Sequence, residues 1–175
     1  MPIACPYTIR HAVPTDLPAI VAIYNQSIAS KTATADLAPV TVAARQTWFA
    51  EHGMAQCRLL LVAQDDAGQV CGWARLSRVS ERAAFDISAE ISVYLAIQAR
   101  GHGLGKQLVH ELLALAPTLG VRQVMAWVFA HNTASLALFG QLGFVEWGRL
   151  PQVCDMQGFL ADVVILGKPM RADKC

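Results

Sequence analysis

Apolar and polar positions recur with two different periods along this chain. Leu17, Ile20, Val21, Tyr24 and Ile28 follow the spacing of an amphipathic helix, and Thr15-Asp16 stands where such a helix is capped. Tyr7–His11 alternates ahead of it and predicts a first strand. A polar, Ala/Thr-rich loop, Ser30–Pro39, leads to a second helix near Thr41–Glu51 that carries Trp48 and Phe49. Arg58–Gln64 and Val70–Val79 flank Asp65-Asp66-Ala67-Gly68, a hairpin signal. Phe85–Leu95 predicts a further strand, followed by a glycine-rich turn and a helix from Gly103 to Ala116. Gln123–Phe129, Ser135–Leu142, Val145–Leu150 and Leu160–Leu166 complete the order as strand, helix, strand, strand.

Helices first, then a meander of strands, then strand–helix units: that order predicts an α+β (mixed α/β) fold around one central sheet, not a doubly wound repeat. The 175 residues contain no internal repeat, low-complexity tract or linker, so a single domain over residues 1–175 is expected. With 54% apolar and 15% charged residues, disorder is excluded. Fourteen basic residues against 13 acidic leave a net charge of +1, which gives no bulk attraction to nucleic acid or to a membrane, so any anion site must be local. The cysteines (Cys5, Cys57, Cys71, Cys154, Cys175) are scattered without a C-x-x-C pair, which suggests neither a disulfide framework nor zinc. His11, His52 and His110 lack partners at metal spacing, and no metal is expected. The N-terminus has no basic, then apolar, leader pattern. Gln123–Val145 carries no formal charge, but His131-Asn132-Thr133 splits it and Gly140 and Gly143 punctuate it, so it reads as strand, turn and helix rather than a membrane span. The expected compartment is the cytoplasm.

The chemistry concentrates where Glu90-Ile91-Ser92-Val93-Tyr94-Leu95 runs into Arg100-Gly101-His102-Gly103-Leu104-Gly105-Lys106. A strand entering a glycine-rich loop that opens a helix suits anion capture: the backbone approaches closely, free N–H groups point outward, and the helix dipole favours negative charge. Arg100, His102 and Lys106 add local positive charge. A tight turn alone would also explain the glycines. The phosphate loop G-x-x-x-x-G-K-[ST] is excluded, because Arg occupies position 100 and Gln107 follows Lys106. The dinucleotide fingerprint is excluded by the G-x-G-x-G spacing and by the absence of an acid at the end of the next strand, Phe129-Ala130-His131.

Arg100-Gly-His-Gly103-Leu-Gly105 resembles the [QR]-x-x-G-x-[GA] loop of the GCN5-related N-acetyltransferases (GNAT), with Asn132-Thr-Ala-Ser135, Phe139 and Leu142-Gly143-Phe144 as the second half of their signature. Within that superfamily the chain is similar to the phosphinothricin and methionine sulfoximine acetyltransferases, through Ile23-Tyr24-Asn25, Thr32-Ala33-Thr34, Pro39-Val40-Thr41, Trp48-Phe49, Arg82-Ala83-Ala84-Phe85, Glu90-Ile91-Ser92-Val93-Tyr94 and Asp162. The resemblance implies a single mixed sheet with helices on both faces, acetyl-CoA as co-substrate, a small-molecule amine acceptor and a homodimer. It implies that Glu90 is the base. A free Glu titrates at about 4.3, so partial burial or a bridging water would have to assist it. The other reading of Glu90 is a structural carboxylate paired with Arg82 or Arg75.

The resemblance further implies that the strand splays from its neighbour through a bulge. The backbone of Val93, Tyr94 and Leu95 would then grip the pantetheine arm, with one N–H serving the oxyanion. Residues Arg100 to Lys106 would hold the pyrophosphate, with Asn132 and Ser135 beyond it; Asn132 is equally a helix N-cap. The acceptor side falls to Arg75, Arg82, Phe85, Glu90, Ile91 and Ser92. The sequence departs from the family at Phe139, where many members place a general-acid Tyr. It departs again at Ala35-Asp36 and Phe159-Leu160-Ala161-Asp162, where aromatic residues are usual near the acceptor. No cysteine falls in the motif, which favours direct transfer in a ternary complex. Acetylation of a different amine, or acyl-CoA sensing without turnover, are the rival readings.

Overall fold

The computed structural model describes residues 7–52 and 59–170, so Arg58, Cys5, Cys57 and Cys175 lie outside the described residues. Seven strands form one mixed sheet: β1 (Thr8–His11), β2 (Leu59–Gln64), β3 (Val70–Arg78), β4 (Ser88–Leu95), β5 (Gln123–Phe129), β6 (Val145–Asp155) and β7 (Leu160–Pro169), in the spatial order β1-β2-β3-β4-β5-β7-β6. Among the described residues only β4 and β5 pair in parallel, joined through helix α3 (Leu104–Leu115). Helices α1 (Leu17–Ile28) and α2 (Val42–Ala50) cover one face, where the Trp73 indole donates to the Ile20 carbonyl at 3.1 Å. The other face carries α3, whose Leu104, Leu108, Val109 and Leu112 are fully buried, and α4 (Thr133–Gln141) beside its N-terminus.

The hairpin between β2 and β3 forms because Asp65 turns its own chain: its Oδ1 accepts from the N–H groups of Ala67 and Gln69, and Gly68 supplies a φ of 78°. Thr41 caps α2 through the Ala44 N–H. Asp16 behaves differently from the expected cap of α1. Its carboxylate takes the Val13 N–H at 2.8 Å and both terminal nitrogens of Arg10 at 2.7 and 2.8 Å, so it closes a short 3-10 turn and ties β1 to the start of the helix. The Arg10 fork holds the Asp16 carboxyl below the usual carboxylate range. The stability this adds is complete above the ordinary carboxylate pKa and is lost as pH falls through the depressed one. Asp16→Asn is therefore expected to cost about 1–3 kcal/mol near neutral pH, and a urea series should show the deficit shrinking toward acid; an equal deficit at all pH values would refute the ion pair's contribution.

Three boundaries move by three residues or more; one is the end of β7, which runs to Pro169 rather than Leu166. Phe85 sits in a 3-10 turn (Ala83–Phe85), not in β4, which starts at Ser88. β6 runs past Leu150 to Asp155, across Pro151: the break is absorbed by a register shift between Leu150 and Cys154, and an edge strand tolerates a residue without an N–H.

Candidate active site

The site is built on a split in the sheet. β4 pairs with β5 only from Ser88–Gln123 to Glu90–Met125, after which the two strands part. Against β3 the pairing runs from Gly72–Leu95 to Arg78–Ala89 without a register shift, so the split opens without the bulge expected in β4. In a strand, backbone groups two residues apart point to the same edge. The Ile87 carbonyl accepts from Gln123 of β5, whereas the Ala96 N–H donates to Cys71 of β3, so the odd-numbered residues of β4 face β5. Beyond Glu90 this leaves the backbone of Val93 and Leu95 on an open edge. The backbone of Tyr94 faces β3, opposite Trp73.

Two cavities meet at this opening. One, of about 430 Å³, runs from Val93 and Leu95 to Arg100, Gly101, Gly103 and Lys106 at the start of α3 and to Ser135 and Leu138 on α4. His102, though in the same loop, does not line it. Gly101 and Gly103 have φ of 81° and 79°, and nothing lies within 4 Å of where a Cβ would stand on either. Gly103 ends the loop in the left-handed region with no side chain capping α3, so the first N–H groups of that helix face the cavity. A loop that keeps its backbone bare at a positive helix end fits a pyrophosphate, and Arg100 and Lys106 add charge to it.

The second cavity, of about 280 Å³, holds Glu90, Ser92, Tyr94 and Arg75, with Thr32–Ala35 as its roof and Trp127, Phe139 and Cys154 on its far side. Glu90, Ser92 and Tyr94 lie on one face of β4 opposite Ser77, Arg75 and Trp73 of β3. Burial pushes the Glu90 carboxyl above its ordinary pKa, and the charge of Arg75 only partly opposes this. Among the described residues Glu90 makes no ion pair, so the structural pairing with Arg82 or Arg75 is not formed. The Tyr94 phenol is pushed far up by burial, its ring packed on Trp73 and Tyr24 at 4.6 and 5.1 Å. Phe139 is 3% exposed, and it packs on Phe144.

Asn132 caps α4 by accepting the Ser135 N–H, and its Nδ2 donates to the Thr32 carbonyl at 2.9 Å, which anchors the roof loop. The same loop is held by Tyr24, whose hydroxyl bonds Thr34 and Asp36, and by Lys31, which donates to the Met156 and Gln157 carbonyls. Ile91 is buried on the α3 face and reaches the cavity only at its edge. Arg82 and Phe85 lie apart from both cavities, with Phe85 43% exposed. Asp162 also lies outside: it accepts from the Gln152 N–H and faces Arg149, while Phe159 remains exposed. Arg45, Trp127 and Cys154 line the site region without having been singled out. Arg45 had a signal, since it stands three residues before Trp48 on one helix face; Trp127 and Cys154 depend on where the sheet splits.

The family model described as the acetyltransferase (GNAT) family matches residues 21–144. Among curated proteins, the chain is 44% identical over 163 residues to Bacillus subtilis (strain 168) YwnH, provisionally named a phosphinothricin acetyltransferase, covering 93% of this chain and 99% of that one. It is 37% identical over 159 residues to the L-methionine sulfoximine/L-methionine sulfone acetyltransferase of Pseudomonas aeruginosa PAO1, covering 91% and 92%. Among solved structures, a phosphinothricin acetyltransferase from Sinorhizobium meliloti in complex with acetyl-CoA superposes with a TM-score of 0.89 at 32% identity, covering 95% of this chain and 89% of that one.

Proposed function

The chain belongs to the acetyltransferase (GNAT) family, and from that premise we propose that it moves the acetyl group of acetyl-CoA to the α-amino group of a small amino-acid-like acceptor of the phosphinothricin, methionine sulfoximine or methionine sulfone type. The observation that carries the proposal is the split between β4 and β5, which sets the open backbone edge at Val93 between a bare helix N-terminus and the chamber that holds Glu90. When bound, acetyl-CoA supplies an activated thioester carbonyl.

The rest is done by this chain. An ammonium has no lone pair, so the Glu90 carboxylate takes a proton from the acceptor, directly or through one water, and its raised pKa brings it nearer to working pH. The Val93 N–H, facing the split, donates to the oxygen on which negative charge develops. The N–H groups that open α3, with Arg100 and Lys106, hold the pyrophosphate. Arg75 stands opposite Ser92 on the next strand, on the same face as Glu90, and takes the acceptor's carboxylate through paired N–H donors. Phe139 cannot protonate the departing sulfur, but a thiol of pKa about 8.5 leaves without full protonation. Transfer is direct, in a ternary complex. The protein works in the cytoplasm as a single domain and as a homodimer. Among the described residues, no helix is long and apolar enough to cross a membrane.

The test is acetyl-CoA-dependent thiol release over a panel of amines. Turnover is expected with phosphinothricin, methionine sulfoximine or methionine sulfone and not with polyamines or aminoglycosides. Cofactor binding without turnover of any amine would instead support the sensor reading.

A further inference from the structure

A third recess of about 50 Å³ shares Arg75 and Tyr94 with the acceptor chamber; it is walled by Tyr24, Trp48, Trp73 and Tyr94 and lined by two guanidinium groups, Arg45 and Arg75. By the measure in which one water needs roughly 10–15 Å³, the recess holds about three to five non-hydrogen atoms. That is the size of a tetrahedral head group. Both arginines lie on the Trp48 ring, with the guanidinium carbons 5.6 and 5.7 Å from its centre, and Arg45 also lies 5.1 Å from the Tyr24 ring. Stacking fixes the planes of the two forks while leaving N–H edges free for a ligand.

No carboxylate lines the recess. The nearest acids are engaged or set aside: Asp36 holds one nitrogen of Arg45 at 3.1 Å and the Tyr24 hydroxyl at 2.7 Å, and Glu90 lies two strand positions beyond Ser92, which faces Arg75. Among the described residues, Arg75 has no hydrogen-bonded or ion-paired protein partner. Two cations on aromatic walls, only one of them paired with a carboxylate, favour an anion.

We propose that this recess is a head-group subsite in which Arg45, with Arg75 at its mouth, selects acceptors bearing a second anionic group, a tetrahedral oxyanion such as a phosphinate, beyond the α-carboxylate. The assignment rests on the proposed function, because it places the amine at Glu90 and the carboxylate at Arg75.

The discriminating pair is phosphinothricin, whose phosphinate is charged, against methionine sulfone, its neutral tetrahedral counterpart. Arg45→Gln is expected to raise the KM for phosphinothricin roughly tenfold or more, the worth of one lost charge-assisted hydrogen bond, with kcat little changed and a clearly smaller rise in KM for methionine sulfone, whose neutral oxygens accept a weaker bond. Retained turnover of methionine sulfone also shows that the variant is folded. Equal loss on both acceptors, or no loss on either, would overturn the subsite. Should the wild-type protein turn over neither acceptor, the proposed acceptor class fails on its own, and the recess is probed directly with dimethylphosphinate and dimethyl sulfone. Calorimetric binding of the anion to wild type and not to Arg45→Gln, with no binding of the sulfone, upholds the subsite; no binding of dimethylphosphinate to wild type rejects it.

Discussion

Glu90→Gln is expected to lower kcat on the best acceptor by about 10²–10⁴-fold while the KM for acetyl-CoA stays as it is, because the cofactor cavity is built from β4 beyond Glu90 and from α3. The pH profile gives a sharper readout than the loss itself. Burial raises the Glu90 pKa, so the wild-type kcat/KM should fall toward acid through a value above the ordinary carboxylate range, and that limb should vanish in the variant. Stability should move the other way. An acid whose folded pKa exceeds its unfolded one destabilises the native state progressively as pH rises from the unfolded pKa to the folded one, and fully above it. Glutamine carries no such burden, so Glu90→Gln should melt no lower than wild type near neutral pH, and any advantage should fade in acid. A variant that is inactive and also markedly less stable would mean that Glu90 is structural.

The legible and illegible parts of this protein divide by the range of the forces involved. Hydrophobic period and turn chemistry are local, so α1, α2, α3, the Asp65–Gly68 hairpin and the succession of strands and helices along the chain are legible in the sequence, whereas the order of the strands in the sheet is not. The Glu90–Lys106 segment was readable for the same reason: strand, bare loop and helix N-terminus are contiguous in sequence, and the glycines at 101 and 103 are needed where φ is positive. Errors arose where tertiary partners override a local rule. Asp16 looks like a helix cap but answers to Arg10, six residues earlier and across a turn. Pro151 ends a strand on propensity, yet β6 is an edge and continues through it. Arg82 and Phe85 were grouped with Glu90 by resemblance, whereas the 3-10 turn holds them away from the cavities. Arg45 and Tyr94 show the converse. Arg45 is marked only by its helical spacing to Trp48 and Tyr94 only by the cofactor motif, and both enter the acceptor region because α1 and α2 close over the face of β3 and β4 that bears Glu90.

The glycine loop yields a second large effect, and a built-in control makes it decisive. Gly103→Val places a β-branched residue at φ 79°, where such residues are outliers, and puts its side chain into the open cavity before α3. The strained cap should tilt the first N–H groups of the helix away from the pyrophosphate. Each charge-assisted hydrogen bond lost is worth about 1.5–3 kcal/mol, so the acetyl-CoA affinity should drop by roughly one to two orders of magnitude. Strain alone could lower affinity through a looser fold, and Gly68→Val separates the two effects. Gly68 has φ 78° and equally open surroundings, but it sits at the turn of the β2–β3 hairpin and lines none of the cavities described. Both variants should lose about 1–2 kcal/mol of folding stability, since the backbone penalty is the same. Only Gly103→Val should lose acetyl-CoA binding by calorimetry. If Gly68→Val loses it to the same degree, the loop glycines are there for the turn alone. If Gly103→Val binds like wild type, the anion is held by Arg100 and Lys106 rather than by the helix end.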